Sequence, residues 1–231
     1  MEMEEEMLAN CRSLLSNVIL QPNVSDIWQW HPDLAGGYSV RSGYQLLTSQ
    51  EHRVLDASEK LIWHSHVPMK VSILAWGLLR DRLPTKINLY NRGIITDADI
   101  SCVVGCGQVE TAHHLFLFCD AFGSLWQHVR AWLGFSGVDQ QTLGDHFLQF
   151  TNYLSGMKTR RSFLQLICLL CVWLIRKERN NRIFYNIYTP TAELVEKVKF
   201  HSYWWLRANN AAFVYGCQQW RSDPLFCLGI G

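Results

Sequence analysis

Residues 102–119 read CVVGCGQVETAHHLFLFC, and this stretch decides the fold. The spacing is C-x3-C-x7-H-x4-C, with Cys102, Cys106, His114 and Cys119 at the four positions. Thiolate sulfur and imidazole nitrogen are zinc ligands, and four of them complete a tetrahedral shell. Glycines on both sides of the second cysteine let the backbone curl, so that a short turn places two sulfurs on one ion. The spacing therefore predicts a zinc site. The alternative is a set of buried thiols beside a core histidine, because free cysteine is often buried.

The third ligand has two candidates. His114 and Cys119 are five residues apart, which puts them about 140° out of alignment on a regular α-helix. His114 therefore requires a bent or late-starting helix, and His113 is the rival ligand beside it. The residues alone leave this choice open.

The predicted site is structural rather than catalytic. A catalytic zinc keeps one coordination position for water, whereas here protein side chains fill all four. The zinc deaminase signature H-x-E…P-C-x-x-C is not present either. Glu110 precedes the helical half of the motif, and we expect it to stabilise the N-terminus of that helix as a first-turn acid.

The bulk composition indicates a globular protein of mild charge. The chain has 231 residues, of which 48% are hydrophobic and 18% charged, and it contains ten tryptophans. These values favour a sizeable packed core over disorder. The net charge is +1, and residues 1–7 carry four of the glutamates. The chain therefore does not have the strongly basic character of a dedicated nucleic-acid binder.

The cysteine content favours metal over disulfides. Residues 1–15 contain no apolar segment preceded by basic charge, so we expect a protein that is not secreted and lies in the cytoplasm or nucleus. The longest apolar run, Phe163–Ile175, is shorter than the about 20 residues that a membrane span needs. It predicts a buried helix and no membrane contact, with Cys168 and Cys171 as core residues.

The hydrophobic pattern predicts a mainly α fold with a structural zinc turn-helix element. From Phe122 to Leu133, apolar residues recur at i, i+3, i+4 and i+7, which is typical of an amphipathic helix. Two aromatic-rich runs, 27–30 and 38–40, flank a Gly-Gly turn and predict a small N-terminal β-hairpin. Ser42 is the predicted cap of the next helix. The predicted helices cover residues 41–49, 69–80, 85–90, 122–133, 142–154, 160–184 and 193–207.

The predicted organisation has three parts. Residues 1–26 form an acidic N-terminal segment, residues 27–133 the zinc-binding domain, and residues 134–231 a helical C-terminal extension.

A basic stretch in the extension is a candidate nucleic-acid-binding surface, because cationic side chains neutralise phosphates. The alternative is a solvated helix end, where cations are favoured near the C-terminus. The candidate residues are Lys158, Arg160, Arg161, Arg176, Lys177, Arg179 and Arg182.

Several short motifs resemble the zinc-binding domain of reverse transcriptases from plant LINE-type (non-LTR) retroelements. They keep the order and approximate spacing of that family over about residues 27–133, although the family commonly has C-x2-C at its first ligand pair. The resemblance favours His114 over His113 as the third ligand. The matching motifs are residues 37–44, Ile62-Trp63, Pro68-x-Lys70, Trp76, Leu83-Pro84-Thr85, Asn88-Leu89, Arg92-Gly93-Ile94, the cysteine pair, Glu110-Thr111, His114-Leu115-Phe116, Cys119 and Trp126.

The resemblance implies a non-enzymatic module that binds RNA or DNA as an accessory to reverse transcription. A polymerase requires paired aspartates to hold its metal ions, and this sequence has no Asp-Asp pair. We therefore expect a truncated relative without the polymerase domain, with a separate reverse transcriptase as a partner. The alternative is a zinc-stabilised scaffold that contacts proteins and has no nucleic-acid role, which the near-neutral charge favours.

Overall fold

The computed structural model describes residues 30, 35–43, 59–135, 137, 142–153, 158–209 and 213–227. The chain divides into two units, Met1–His52 and Arg53–Gly231. The described residues are mainly helical and contain no strand, in agreement with the predicted mainly α class.

In the first unit, a capped helix replaces the second strand of the predicted hairpin. Ser39 Oγ accepts from Ser42 N–H at 3.0 Å, and Ser42 Oγ accepts from Ser39 N–H at 3.1 Å. This reciprocal pair is a capping arrangement that starts a helix at Val40. The predicted hairpin is therefore wrong, and the cap is Ser39, one turn before the predicted Ser42. The first predicted strand and the end of this helix lie outside the described residues, apart from Trp30.

The described part of the second unit is built mainly of helices. The longer ones are α1 (Met69–Leu79), α3 (Asp120–Trp132), α4 (Leu143–Asn152), α5 (Lys158–Tyr185) and α6 (Thr191–Asn209). The short ones are α2 (Lys86–Tyr90), α7 (Cys217–Ser222) and α8 (Pro224–Cys227). Two 3-10 turns, Glu59–Leu61 and Asp97–Asp99, and a π-helical turn, His114–Phe118, complete it.

Helix α5 lies at the centre of the core. Within Phe163–Ile175 every side chain except the half-exposed Trp173 is buried, including Cys168 and Cys171. The run is buried because α5 packs against α1, α4 and α6 on different sides. This confirms the predicted core helix. Among the described helices, none has both the length and the hydrophobicity needed to cross a membrane.

Helix α3 joins the metal-ligand region to the same core. Its buried face packs on α6, on α5 and on the π-helical turn that precedes it. Residues 59–133 and the described residues of the predicted extension therefore share one core, and the division between the ranges 27–133 and 134–231 stays a prediction.

A close contact fixes where α3 begins against the π-helical turn. Trp126 Nε1 donates to the Phe116 carbonyl at 2.7 Å, within the buried part of this contact. Near the start of the helix, a Cβ added to Gly123 would lie 2.5 Å from the Leu117 carbonyl oxygen. The α3 backbone thus approaches the turn more closely than any residue with a side chain allows.

Gly123→Ala is expected to destabilise the protein. Alanine normally stabilises a helix interior by about 0.5–1 kcal/mol over glycine, but here its methyl group meets backbone rather than a movable side chain. Overpacking of this kind costs about 1–3 kcal/mol, which outweighs the helix preference. Urea unfolding measures the difference.

Gly77→Ala in α1 is the matched control, because its added Cβ meets only the flexible Leu83 side chain, at 3.2 Å. We expect a change within about 0.5 kcal/mol of neutral, typical of a tolerated site. Equal stability of both variants would contradict the close approach at Gly123.

Candidate metal centre

The first two ligands lie on a tight loop. Ser101 and Val109 form an isolated antiparallel bridge, and Cys102 N–H donates to the Gln108 carbonyl at 2.8 Å. Gly105 and Gly107 have φ angles of +80° and +77°, which lie in the left-handed region that glycine adopts without strain. The loop therefore turns back on itself between the two cysteines, as the glycines predict.

The second two ligands lie at the ends of the π-helical turn. Cys119 N–H donates to the His114 carbonyl at 2.7 Å, an i to i+5 hydrogen bond. Cys119 itself is extended (φ −67°, ψ 128°) and precedes the first residue of α3. The wider turn reduces the misalignment of about 140° that a regular α-helix imposes on residues five apart. This is the departure from regular helix that the spacing requires.

The four predicted ligands converge. The ligand atoms of Cys102, Cys106, His114 and Cys119 all lie within 4.8 Å of one another. Cys106 Sγ lies 3.2 Å from His114 Nε2, and the sulfurs of Cys102 and Cys119 are 3.9 Å apart. Atoms that share a tetrahedral zinc at bond lengths of 2.0–2.3 Å are roughly 3.5–3.8 Å apart. The four residues thus form a site that can hold a metal ion, and its three sulfurs and one nitrogen suit zinc.

The structure also separates the two histidines. His114 is half-buried and directs Nε2 toward the sulfurs, whereas His113 is exposed and its ring packs against Phe118 at a centroid distance of 4.7 Å. His113 therefore lies outside the cluster. The residues alone leave the third ligand open, and the structure selects His114.

The environment of Cys119 favours its thiolate form. The Cys102 thiol donates a hydrogen bond that lowers the pKa of Cys119 well below its usual range, against the opposing effect of burial. Backbone N–H groups of Phe122 and Ala121, at the start of α3, lower it further. The same thiol–thiolate hydrogen bond raises the pKa of Cys102, the donor. These contacts favour the thiolate at Cys119, and the thiolate is the form that binds metal.

Glu110 connects the loop that carries Cys102 and Cys106, called the ligand loop below, to the rest of the fold. Its fully buried carboxylate pairs with Arg179 of α5, with Oε1 2.7 Å from Nη2. Val103 N–H, within the ligand loop, donates to Oε2 at 3.3 Å. Lys86 N–H, the first of α2, donates to Oε1 at 3.1 Å. Glu110 therefore caps the N-terminus of α2. The prediction that it stabilises the N-terminus of the helix that follows it in sequence is wrong.

The predicted basic surface is only partly exposed. Arg161 and Lys177 are exposed, while Arg160 and Arg176 are half-buried. Arg179 is buried against Glu110, and Arg182 donates to Glu178 at 2.9 Å. These two cations form internal ion pairs, which corrects their assignment to a phosphate-binding surface. The Lys158 side chain lies outside the described part.

The described part of the chain is a mainly helical protein with a three-cysteine, one-histidine site that can hold a metal ion. Residues 38–126 match a protein family described as zinc-binding in reverse transcriptase. The matched range includes all four ligands, covers less than half of the chain, and supports the predicted resemblance for that part. Comparisons with curated proteins and with solved structures gave no match.

His114→Ala is expected to lower the bound zinc from about one ion per chain to near zero in reducing buffer, because three ligands leave the shell open. The matched control is His113→Ala, whose ring lies outside the cluster, and we expect it to keep the wild-type zinc content. Metal analysis of the purified proteins measures both. Loss of zinc in the His113 variant alone would reverse the assignment of the ligand.

Glu110→Gln is expected to weaken zinc binding about 10- to 100-fold, the range for residues that orient metal ligands. It also leaves Arg179 buried without its counter-charge, which costs about 3–5 kcal/mol of stability. Chelator competition and urea unfolding measure the two effects.

Glu193→Gln is the control, since Glu193 pairs with Lys197 on the exposed surface of α6. Its effect on stability is expected to stay below about 1 kcal/mol. If Glu110→Gln loses stability but binds zinc as tightly as wild type, the carboxylate does not position the ligand loop.

Proposed function

We propose that this chain is a non-enzymatic, zinc-stabilised module of retroelement origin that binds nucleic acid as an accessory to reverse transcription. One observation carries the proposal: the range that matches the reverse-transcriptase zinc-binding family contains the four converging ligands. The motifs that resemble plant LINE-type elements give the proposed origin.

The structural role of the zinc supports a binding function over catalysis. Four protein ligands leave no position for a water or substrate. The ligands also lie at the joints of the fold, because Cys119 immediately precedes α3 and Cys102 lies beside the residue that Glu110 binds. Zinc bound here would hold the ligand loop and the π-helical turn together. In this proposal RNA or DNA is the ligand, a separate reverse transcriptase is the partner, and the protein acts in the cytoplasm or nucleus.

A second candidate function is a protein-interaction scaffold. The segment at the end of α5 exposes several large apolar side chains in succession: Phe184, Tyr185, Ile187 and Tyr188. Aromatic side chains are enriched where proteins bind other proteins. The near-neutral net charge of +1 is also compatible with a protein partner.

Binding to nucleic acid tests the first function. We expect the zinc-loaded chain to bind fluorescein-labelled RNA or DNA 20-mers at 50 mM salt and to lose affinity as salt rises to 200 mM, because phosphate contacts release counterions. Fluorescence anisotropy measures the affinity. Absence of binding at low salt by protein with a full complement of zinc would reject this function and leave the scaffold.

A further inference from the structure

A cavity of about 770 Å³ lies between α1, the loop after it and the C-terminal half of α5. This volume falls within the roughly 300–1,000 Å³ that is usual for ligand sites. Two segments far apart in sequence meet here, residues 70–83 and residues 173–185. The lining residues are Lys70, Ile73, Leu74, Trp76, Gly77, Arg82, Leu83, Trp173, Arg176, Lys177, Asn180, Asn181, Phe184 and Tyr185.

The charged residues that line this cavity are all cations. Lys70, Arg82, Arg176 and Lys177 line it, and the described lining residues include no aspartate or glutamate. A concave surface with cations of one sign attracts anions more strongly than the same charges do on a flat surface. The net charge of +1 for the whole chain conceals this local concentration.

Arg176 contributes a partly buried cation to the lining of the cavity. Its side chain is half-buried, and within the described structure its Nη1 atom is buried without a hydrogen-bond acceptor. Burial lowers the pKa of this guanidinium, and the charge of Arg179 lowers it further. Because Nη1 itself is buried, an anion in the cavity is attracted by the charge of Arg176 and not by a direct hydrogen bond to this atom.

Aromatic rings accompany these cations. Lys70 Nζ lies 5.1 Å from the ring centre of Trp173, and the Arg82 guanidinium lies 5.7 Å from that of Trp76. At the rim, Phe184 and Tyr185 are 68% and 70% exposed. Cations beside exposed aromatic rings are the combination by which proteins hold single-stranded nucleic acid, with phosphates on the cations and bases stacked on the rings.

We infer that this cavity binds single-stranded nucleic acid, with its phosphates on Lys70, Arg82, Arg176 and Lys177 and its bases on Phe184 and Tyr185. The inference rests on the proposed function and specifies where and in what form the nucleic acid binds. A duplex is excluded from the aromatic contact, because its bases are stacked inside the helix and do not present their faces. Two of the four cations, Lys70 and Arg82, lie outside the predicted basic stretch.

Two kinds of variant separate the phosphate and base contacts. Lys70→Ala/Lys177→Ala removes two exposed cations, and Tyr185→Ala removes an exposed ring. The control is Lys60→Ala, an exposed cation that neither lines the cavity nor belongs to the predicted basic stretch. The probes are fluorescein-labelled 12-mers of oligo(dT) and oligo(rU), with the oligo(dT)·oligo(dA) duplex for comparison. Zinc content and circular dichroism establish that each variant is folded.

We expect the double variant to make the plot of log affinity against log salt shallower by about 1.4, because each phosphate contact to a single strand contributes about 0.7. Tyr185→Ala is expected to weaken binding by about 5- to 100-fold and to leave the salt slope unchanged. The control variant is expected to bind the single strands as tightly as wild type does. The duplex is expected to bind the wild type more weakly than either single strand.

Three outcomes would overturn the inference. If the wild type binds but the cavity variants bind as tightly as it does, or only Lys60→Ala weakens binding, nucleic acid binds elsewhere and only this inference fails. If a polyglutamate 12-mer competes as well as oligo(dT), the cavity is a general site for acidic chains. If no oligonucleotide binds the wild type at 50 mM salt, the proposed function fails with it.

Discussion

The buried pair of Glu110 and Arg179 connects residues 69 positions apart, and the site depends on it. Glu110 is fully buried and accepts from the ligand loop, from the first residue of α2 and from α5. Arg179 also donates to the Pro84 carbonyl at 3.1 Å. A buried charge is unfavourable unless it is paired and hydrogen-bonded, so these elements have one arrangement in which both charges are satisfied. The main effect of the pair is therefore to set the position of the ligand loop relative to α5, and its net contribution to stability is secondary.

The π-helical turn sets the positions of the other two ligands. Its i to i+5 hydrogen bond uses a wider turn than an α-helix, and such turns are rare and often occur at functional sites. Packing stabilises it here: the indole of Trp126 satisfies the Phe116 carbonyl, and Gly123 lets α3 lie directly against the turn. The geometry of the ligands thus depends on a helix whose other face contributes to the core.

One helix, α5, contributes residues to the core, to the contact with the ligand loop and to the candidate nucleic-acid cavity. It can do so because residues three or four apart share a face, and its different faces meet different parts of the protein. Trp173, Arg176, Lys177 and Asn180 follow this spacing and line the cavity. Arg179, one position before Asn180, pairs with Glu110 in the interior, and Arg182 pairs with Glu178 one turn earlier. Adjacent cations in one basic run therefore have different surroundings, and only some of them are available to a phosphate.

The sequence by itself determined the metal-binding residue types, the mainly helical class and the buried character of residues 163–175. These features follow from ligand chemistry and from the period of the apolar residues, both of which are local. Tertiary structure decided that His114 and not His113 joins the cluster, because the two neighbours differ only in which way the π-helical turn directs them. The helix that begins at Val40, in place of the predicted strand, arises instead from the local hydrogen bonds between Ser39 and Ser42. Tertiary structure also placed Glu110 at the N-terminus of α2. Predicting the partner of Glu110 requires knowing that α5 packs beside the ligand loop, and that proximity arises only once the core has formed.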